Sequence, residues 1–433
     1  MLAKLLVKLA NSRLGVPAKS LMRRLQETYY NAEVLSRPVT KIAPLSVNVS
    51  ASAKSRVNIL IPEINFARFY GGYMAKFHLA RKLVEAGHSV RVITVDQCVR
   101  DIDSWKRDIL EYEGIEDIFD KIEVECCFDR NNRIEVSPND VIIATTWWSA
   151  YIANALVKEI GSQEFIYLVQ EYEPFTFPMG SYYALANESY AFPHRAFYST
   201  ELLQEYFQNN NIGWLHNTVE DRSDHYEYFE NAIIDYPERT EIKKRESRER
   251  KLLFYARPEP HAARNMFETG FLALSKAIED GVFDSGNWSF HGIGSSHGDI
   301  PLPKGKKLEM LGKFGLSEYK STLLEYDLGL ALMYTPHPSL LPLELACAGM
   351  PIVTNTCMNK TVDKLRALSI NMHVAAPSVE GVANRLAAAV KYEPDLSSRY
   401  IGSKVNWARN WEDALDHRRM SKLNEWITSI RSH

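Results

Sequence analysis

Twice in this chain a short, nearly uninterrupted apolar run opens a strand–loop–helix–strand pattern. The first run is RVNILIPE, where Val57, Ile59, Leu60 and Ile61 crowd into five positions. The second is KLLFYARP, residues 251–258. A strand that is apolar at almost every position is buried on both faces, as in parallel sheets covered by helices on each side. After the first run come Gly71 and Gly72, then a helix from about Tyr73 that carries Phe77, Ala80 and Val84 on one face. Gly87 stops that helix, and Ser89 to Val95 form the next strand. VIIATTWW (141–148), FIYLVQEYEP (165–174) and residues 196–200 read as further strands that run into loops.

After the second run the order repeats. A helix spans roughly Arg264 to Glu279, strands cover 288–294, 307–312 and 328–333, and another helix lies near Glu318 to Glu325. At 433 residues the chain is too long for one ordinary core. These patterns predict an α/β chain of two Rossmann-like parallel-sheet domains facing each other across a cleft, with sites at the strand C-terminal ends. The first domain is expected over residues 51–235 and the second over 236–400. The charged stretch 238–251 suits a linker or an exposed helix.

Residues 1–50 read as a basic, amphipathic extension. Leu2, Leu5, Leu6 and Leu9 share a helical face, and Lys4, Lys8, Arg13, Lys19, Arg23 and Arg24 precede the first acid, Glu27. Such a helix can lie on an anionic membrane at ~1 kcal/mol per basic residue, or pack on its own domain or a partner subunit. No apolar run approaches the ~20 residues of a spanning helix. The N-terminus lacks the marks of a signal peptide. The five cysteines show no metal spacing and are expected as reduced, buried thiols. The expected location is therefore cytoplasmic, with peripheral contact at the inner face of the plasma membrane as the alternative open to residues 1–50. A net charge of −3 gives no general attraction to nucleic acid.

The chemistry concentrates in HPSLLPLELACAGMPIVTN, residues 337–355. A helix starting at Ser339, Leu340 and Leu341 offers unpaired N–H groups and roughly +0.5 charge, which suits a phosphate. Glu344 on that helix can accept hydrogen bonds from ribose or sugar hydroxyls. Arg257 at a strand end and Arg264 at a helix start can clamp a diphosphate. Gly292 and Gly294 at one strand end, and Gly312 with Lys313 at another, permit close backbone approach and add a charge. On the acceptor side, Gly71 and Gly72 sit between strand and helix. Trp147, Trp148, Glu171, Tyr172, Glu173 and Tyr182 supply aromatic faces and carboxylates that suit a saccharide. Each of these also has a plain structural reading as turn, ion pair or packing. The dinucleotide fingerprint is absent, no histidine set has metal-ligand spacing, and Asp101-Ile102-Asp103 lies away from the expected cleft.

At these residues the chain resembles the family 4 retaining glycosyltransferases of GT-B fold, and within them the WsaF-type rhamnosyltransferases of bacterial surface-glycan assembly. The resemblance rests on YGGYMAKFHLARKLVEAGHSV (70–90), ATTWWSAY (144–151), YLVQEYEPFTFPMGSYYALA (167–186), YARP (255–258) with Arg264-Asn265, and HPSLLPLELACAG (337–349). It implies a dTDP-L-rhamnose donor held by the second domain, no cofactor and no metal ion, and a glycan or lipid-linked saccharide acceptor. It places Arg257 and Arg264 on the diphosphate and Glu344 on the ribose, as the second acid of an E-x7-E motif. The first acid of that motif would fall at Pro336, a departure that leaves the sugar contacts unassigned. The resemblance also implies that residues 401–433, with the stripe Trp407, Trp411 and Leu415, end in a helix crossing back to the first domain. Another UDP- or GDP-sugar donor, a nucleotide-sugar epimerase and a non-catalytic glycan-binding module are the alternatives.

Overall fold

The computed structural model describes residues 38–236, 249–296, 298–312 and 314–432. The N-terminal half contributes β1 (Val47–Val49), β2 (Val57–Ile61), β3 (Val90–Thr94), β4 (Glu123–Cys126), β5 (Ile134–Val136), β6 (Val141–Ala144), β7 (Phe165–Val169), β8 (His194–Ser199) and β9 (Tyr226–Phe229). Seven of these form one parallel sheet in the order β4-β3-β2-β6-β7-β8-β9, while β1 and β5 pair separately. The C-terminal half contributes β10 (Glu249–Tyr255), β11 (Asn287–Ile293), β12 (Ile300–Pro301), β13 (Lys307–Gly312), β14 (Leu328–Leu330), β15 (Ile352–Asn355) and β16 (Met372–Ala375). Their order is β12-β13-β11-β10-β14-β15-β16, and of these pairings β12–β13 is antiparallel.

The apolar runs behave as their pattern predicts. Every residue of β2, β3, β6 and β7 is buried. Ile59 joins a core on one face of the first sheet with Phe77 and Leu83; Leu60 joins the other with Ile142 and Tyr167. Asn58, Arg91 and Thr94 are the polar exceptions; the Asn58 Oδ1 accepts from Arg91 Nε at 2.7 Å, while its Nδ2 has no partner. In the first sheet β2 has β3 on one side and β6 on the other; in the second, β10 has β11 and β14. The direction of winding reverses at those two places, and a crevice opens there beyond the strand C-termini. The loops that leave β2, β6, β10 and β14 carry most of the candidate residues.

Of the helices α1 (Gly71–Glu85), α2 (Trp147–Ile160), α3 (Glu201–Asn209), α4 (Phe267–Glu279), α5 (Leu340–Cys347) and α6 (His417–Arg431), α1, α2 and α5 border the site. The C-terminal stripe divides between the two sheets. Trp407 packs into the second core and donates from Nε1 to the Asn231 carbonyl at 2.8 Å. Trp411 stacks on His78 of α1 with centroids 4.4 Å apart, and Leu415 joins Leu423, Trp426 and Ile427 of α6 in the first core. The chain end therefore ties the two halves together.

Several boundaries differ from the sequence reading. Residues 38–50 are part of the first domain rather than an appendage: β1 pairs with β5, Leu45 is buried, and Lys41 lies 3.9 Å over the Trp148 ring. Residues 1–37 and most of the expected linker, 237–248, lie outside the described residues; Glu249 to Lys251 already belong to β10, where the Lys251 amide donates to Asp327. The helix expected from Arg264 begins at Phe267, because Met266 takes a left-handed conformation (φ 52°) that interrupts the turn. Asp101 caps a short helix by accepting from the Ser104 amide. All five cysteines are free thiols, but Cys98 and Cys126 are only half-buried. Among the described residues no helix is long and apolar enough to cross a membrane.

Candidate active site

The second-domain wall starts where β10 ends. Arg257 follows it by two residues, with NH1 3.5 Å from the Tyr255 hydroxyl and NH2 2.9 Å from His261 Nε2. Its Nε lies 3.5 Å from Glu259 Oε2, yet both atoms are buried without a hydrogen-bond partner. Gly294 lies under this side chain: a Cβ there would stand 2.8 Å from the Tyr255 ring and 2.9 Å from Arg257 Cγ, at a φ of +100°. The glycine is thus required by the arginine's position. Gly292 has a different reason to be glycine: its missing Cβ makes room for Met310 Sδ inside the sheet. Gly312 accepts from the Gly294 amide and stays open. Lys313 lies outside the described residues.

Arg264 sits in the short 3-10 turn Pro260–Asn265, and its NH1 reaches the carbonyl of the same His261 that touches Arg257. The two arginines are therefore joined through one residue. The Arg264 Nε–H is also buried and unmatched. A buried donor left without an acceptor costs about 1–3 kcal/mol, which an arriving anion would relieve.

Helix α5 completes this wall. Ser339 precedes it at φ 66°, and its amide donates to His337 Nδ1 at 2.9 Å. Pro342 has no N–H, so the amides of Leu340 and Leu341 head the helix without an intrahelical acceptor. Burial, with Lys360 and Arg264 nearby, drives the His337 pKa down to about 3 and keeps the ring neutral as an acceptor. Lys360 is fully buried and donates to the Met333 carbonyl at 2.8 Å; burial lowers its pKa to about 8. Glu344 is half-buried and accepts from the Tyr319 hydroxyl at 2.8 Å. Burial raises its pKa, opposed by Tyr319 and the Ile234 amide. A carboxylate has about four lone-pair sites, so capacity for a ribose remains. Tyr319 and Tyr255 share one cluster with Leu340 and Leu311, which places Glu344 and Arg257 at two ends of one aromatic surface.

The first-domain wall is built from the loops after β2, β6 and β7. Gly71 opens α1, and a Cβ on it would stand 2.9 Å from Leu340 of α5, so the two walls touch there. Gly72 faces Gln170 in the same way. Thr146 and Ser149 form a capping box at the start of α2, and Glu173 lies against that helix end, taking the Trp147 amide. Burial raises the Glu173 pKa to about 7, with the Trp147 amide and Lys76 pulling it down. Lys76 is itself buried, and its pKa falls to about 8.

The aromatics differ from expectation. Trp147 is 1% exposed and enclosed by Trp148, Tyr151, Phe177 and Tyr182, and Tyr172 is bonded to Asn187 within the core. Neither ring offers a face to a sugar. Trp148 is half-buried with Lys41 over its ring, and half-buried Tyr182 stacks on Phe177. Glu171 faces the opposite wall: its Oε2 lies 3.9 Å from Arg264 Nε.

Sequence reasoning missed Lys76, Lys360, Tyr319 and the neutral role of His337. Lys76 had a signal, since Ala80 and Leu83 follow it at i+4 and i+7 on one helical face, and the structure buries that face. Lys360 had none. A cavity of about 350 Å³ lined by Ser162, Glu164, Arg195, Trp214 and His225 lies at the opposite, N-terminal ends of β7 and β8, away from the cleft. Among the described residues no three His, Cys, Asp or Glu side chains converge as a metal site.

Comparison with known proteins matches this architecture. HepE of Anabaena, solved in complex with UDP, superposes with a TM-score of 0.54 at 11% identity over 86% of this chain and all of that one. Sucrose-phosphate synthase of Thermosynechococcus elongatus gives 0.56 at 11% identity over 87% of this chain and all of that one. These likenesses establish the GT-B fold. The O-antigen biosynthesis protein RfbC of Myxococcus xanthus is 29% identical over 265 residues, 58% of this chain, and the match spans 18% of that longer relative. The N-terminal domain of WsaF matches residues 56–199 and its C-terminal domain matches residues 250–387, so both walls of the cleft carry the same signature and the chain belongs to the WsaF family.

Proposed function

We propose that this chain is a retaining glycosyltransferase that moves L-rhamnose from dTDP-L-rhamnose to a saccharide hydroxyl of a growing bacterial surface glycan. The observation that carries the reading is the pair Arg257 and Arg264. Each holds a buried, unmatched Nε–H on the wall where α5 presents its first amides. A departing diphosphate supplies the acceptors that wall lacks. Stabilising that charge in a dry cleft would be the largest catalytic contribution. Glu344 and Tyr319 take the ribose end. Retaining glycosidases use two paired carboxylates at the reacting carbon. The second wall has Pro336 where one such acid would stand. The mechanism favoured here is therefore a same-face displacement in which the leaving phosphate takes the acceptor proton. Glu173 orients the acceptor, with Lys76 keeping a fraction of it ionised near neutral pH.

Membership of the WsaF family supports the transferase class, and the printed role of RfbC in O-antigen biosynthesis supports a surface glycan. The solved relatives bound to UDP support a nucleotide-sugar donor and keep UDP-sugars as the second reading. No metal or cofactor is assigned. The proposal includes a cytoplasmic location, with the basic stretch before residue 38 near the membrane face.

Thermal unfolding with dTDP-, UDP- and GDP-sugars tests the donor. A ligand at a hundred times its Kd stabilises by about 2.7 kcal/mol. Stabilisation by dTDP-rhamnose, followed by acceptor-dependent release of dTDP, is expected. Stabilisation by UDP- or GDP-sugars alone would replace the donor, and no release of nucleotide with any of them would leave only a binding module.

A further inference from the structure

Glu171 belongs to the first domain, and its side chain has contacts in both domains. Its Oε1 accepts from the Tyr172 amide at 3.0 Å, and its Oε2 lies 3.9 Å from Arg264 Nε. Burial raises the Glu171 pKa; Arg264, the Tyr172 amide, buried Lys360 and the Thr335 hydroxyl, which itself donates to the His337 carbonyl, oppose that shift and favour the carboxylate. The separation from Arg264 exceeds hydrogen-bond reach, so charge holds the pair while the Nε–H stays unmatched. The other arginine of the clamp leans on Glu259, two residues away in its own domain. Only the Arg264 contact, of these two, spans the cleft. It also sits beside Thr335, next to the position where Pro336 replaces an acid.

Resting on the transferase reading above, we propose that Glu171 serves both substrates in turn and so sets their order of binding. In the empty cleft its carboxylate stands where the anionic diphosphate must go. The arriving diphosphate takes Arg264 by direct hydrogen bonds and repels Glu171. The released carboxylate, still anchored by its own backbone on the acceptor wall, then accepts a hydrogen bond from an acceptor saccharide hydroxyl. Donor binding thereby completes the acceptor site, and the acceptor binds weakly before it. No covalent bond changes in this exchange. Two substrates coupled through one side chain must raise each other's affinity by the same factor.

Calorimetric titration of the full chain with dTDP decides the matter. Glu171→Gln keeps the shape and removes the charge, so dTDP should bind about tenfold more tightly while transfer falls. In an Arg264→Gln background the same substitution should leave dTDP affinity within about twofold. Methyl α-L-rhamnoside should bind the wild-type chain more tightly when dTDP is present, and this coupling should vanish in E171Q. Unchanged or weaker dTDP binding by E171Q would show that Glu171 merely braces Arg264, and would overturn the proposal. Should E171Q unfold, Thr335→Val removes one of the groups holding the carboxylate and should tighten dTDP binding twofold to threefold; no change there would count equally against it. If the wild-type chain binds UDP or GDP in place of dTDP, the donor assignment fails, yet the same comparison with that nucleotide still tests Glu171.

Discussion

The two walls of the cleft differ in which charges predominate. The second-domain wall holds cations and amides whose donors exceed their acceptors: Arg257 and Arg264 with unmatched Nε–H groups, and the head of α5. The first-domain wall holds carboxylates in surroundings that resist their charge, with Glu171 and Glu173 both shifted toward the protonated form by burial. A surplus of donors prepares a wall for an anion that arrives and grows in charge as a bond breaks. Carboxylates that resist ionisation prepare a wall for neutral hydroxyls. The contrast favours the second-domain wall as the nucleotide side of the proposed reaction.

The strongest way to break the contrast is to remove one cation. Arg257→Ala should lower kcat by about 10²–10³, or about 3–4 kcal/mol, as for other preorganised donors at a developing charge. Its guanidinium contacts are confined to Tyr255, Glu259 and His261, so the unfolding midpoint should hardly move. An active Arg257→Ala enzyme would mean that the diphosphate leaves elsewhere.

The next effect concerns the histidine that shapes the donor loop. The folded chain keeps His337 neutral down to a pKa of about 3, whereas an unfolded chain takes up the proton near its ordinary value of about 6.5. Its contribution is therefore complete above that ordinary value and is lost as the pH falls toward 3. At pH 4 the loss is on the order of 3 kcal/mol. His337→Asn keeps an acceptor for the Ser339 amide without the titration. The fall in stability from pH 7 to pH 4, read from urea unfolding, should be smaller in that variant by about 3 kcal/mol, the remainder belonging to His78, His194, His216 and His373, which burial also holds neutral; an equal fall in both would mean that His337 does not contribute to the acid sensitivity.

Glu344→Gln ranks third. It keeps the volume and removes the charge that receives the Tyr319 hydroxyl and, on the reading above, a ribose. A charged hydrogen bond contributes about 1.5–3 kcal/mol, so nucleotide affinity should fall roughly tenfold to a hundredfold. Equal affinity would place the ribose away from α5.

How far the sequence discloses this site depends on whether a residue's partner lies within its own element. Runs such as Val57 to Ile61 encode double-sided burial by themselves, and the glycine stop of α5 at Gly349 (φ 85°) does the same for a helix end. Arg257 and Arg264 stand out in sequence because strand ends and the turns after them are where parallel sheets bind ligands, and the structure brings both into contact with His261. What the linear pattern does not contain is contact across the cleft. Glu171 reads in sequence as an acceptor contact, and its contact with Arg264, 93 positions later, is not visible there. Trp147 was expected as a platform, but an aromatic at a helix start reads the same whether its ring is open or enclosed. Gly292 and Gly294 look alike in sequence, although one is small for Met310 and the other for Arg257.

The smallest expected effect lies where the two walls meet. A Cβ at Gly71 would stand 2.9 Å from Leu340 Cδ1, the far end of a flexible side chain. Alanine there gains up to about 1 kcal/mol in helix propensity over glycine, less at a first-turn position than in a helix interior. Leu340 can rotate aside or the walls can part by a few tenths of an ångström. Gly71→Ala should therefore leave the unfolding midpoint unchanged or slightly raised, while KM for the donor rises a few-fold, since Leu340 heads the helix on which the proposed donor phosphates rest. The opposite signs matter more than the sizes. A lowered midpoint with unchanged KM would mean that this contact belongs to the folded core of the two domains, and that substrates bind without using the closeness of the walls.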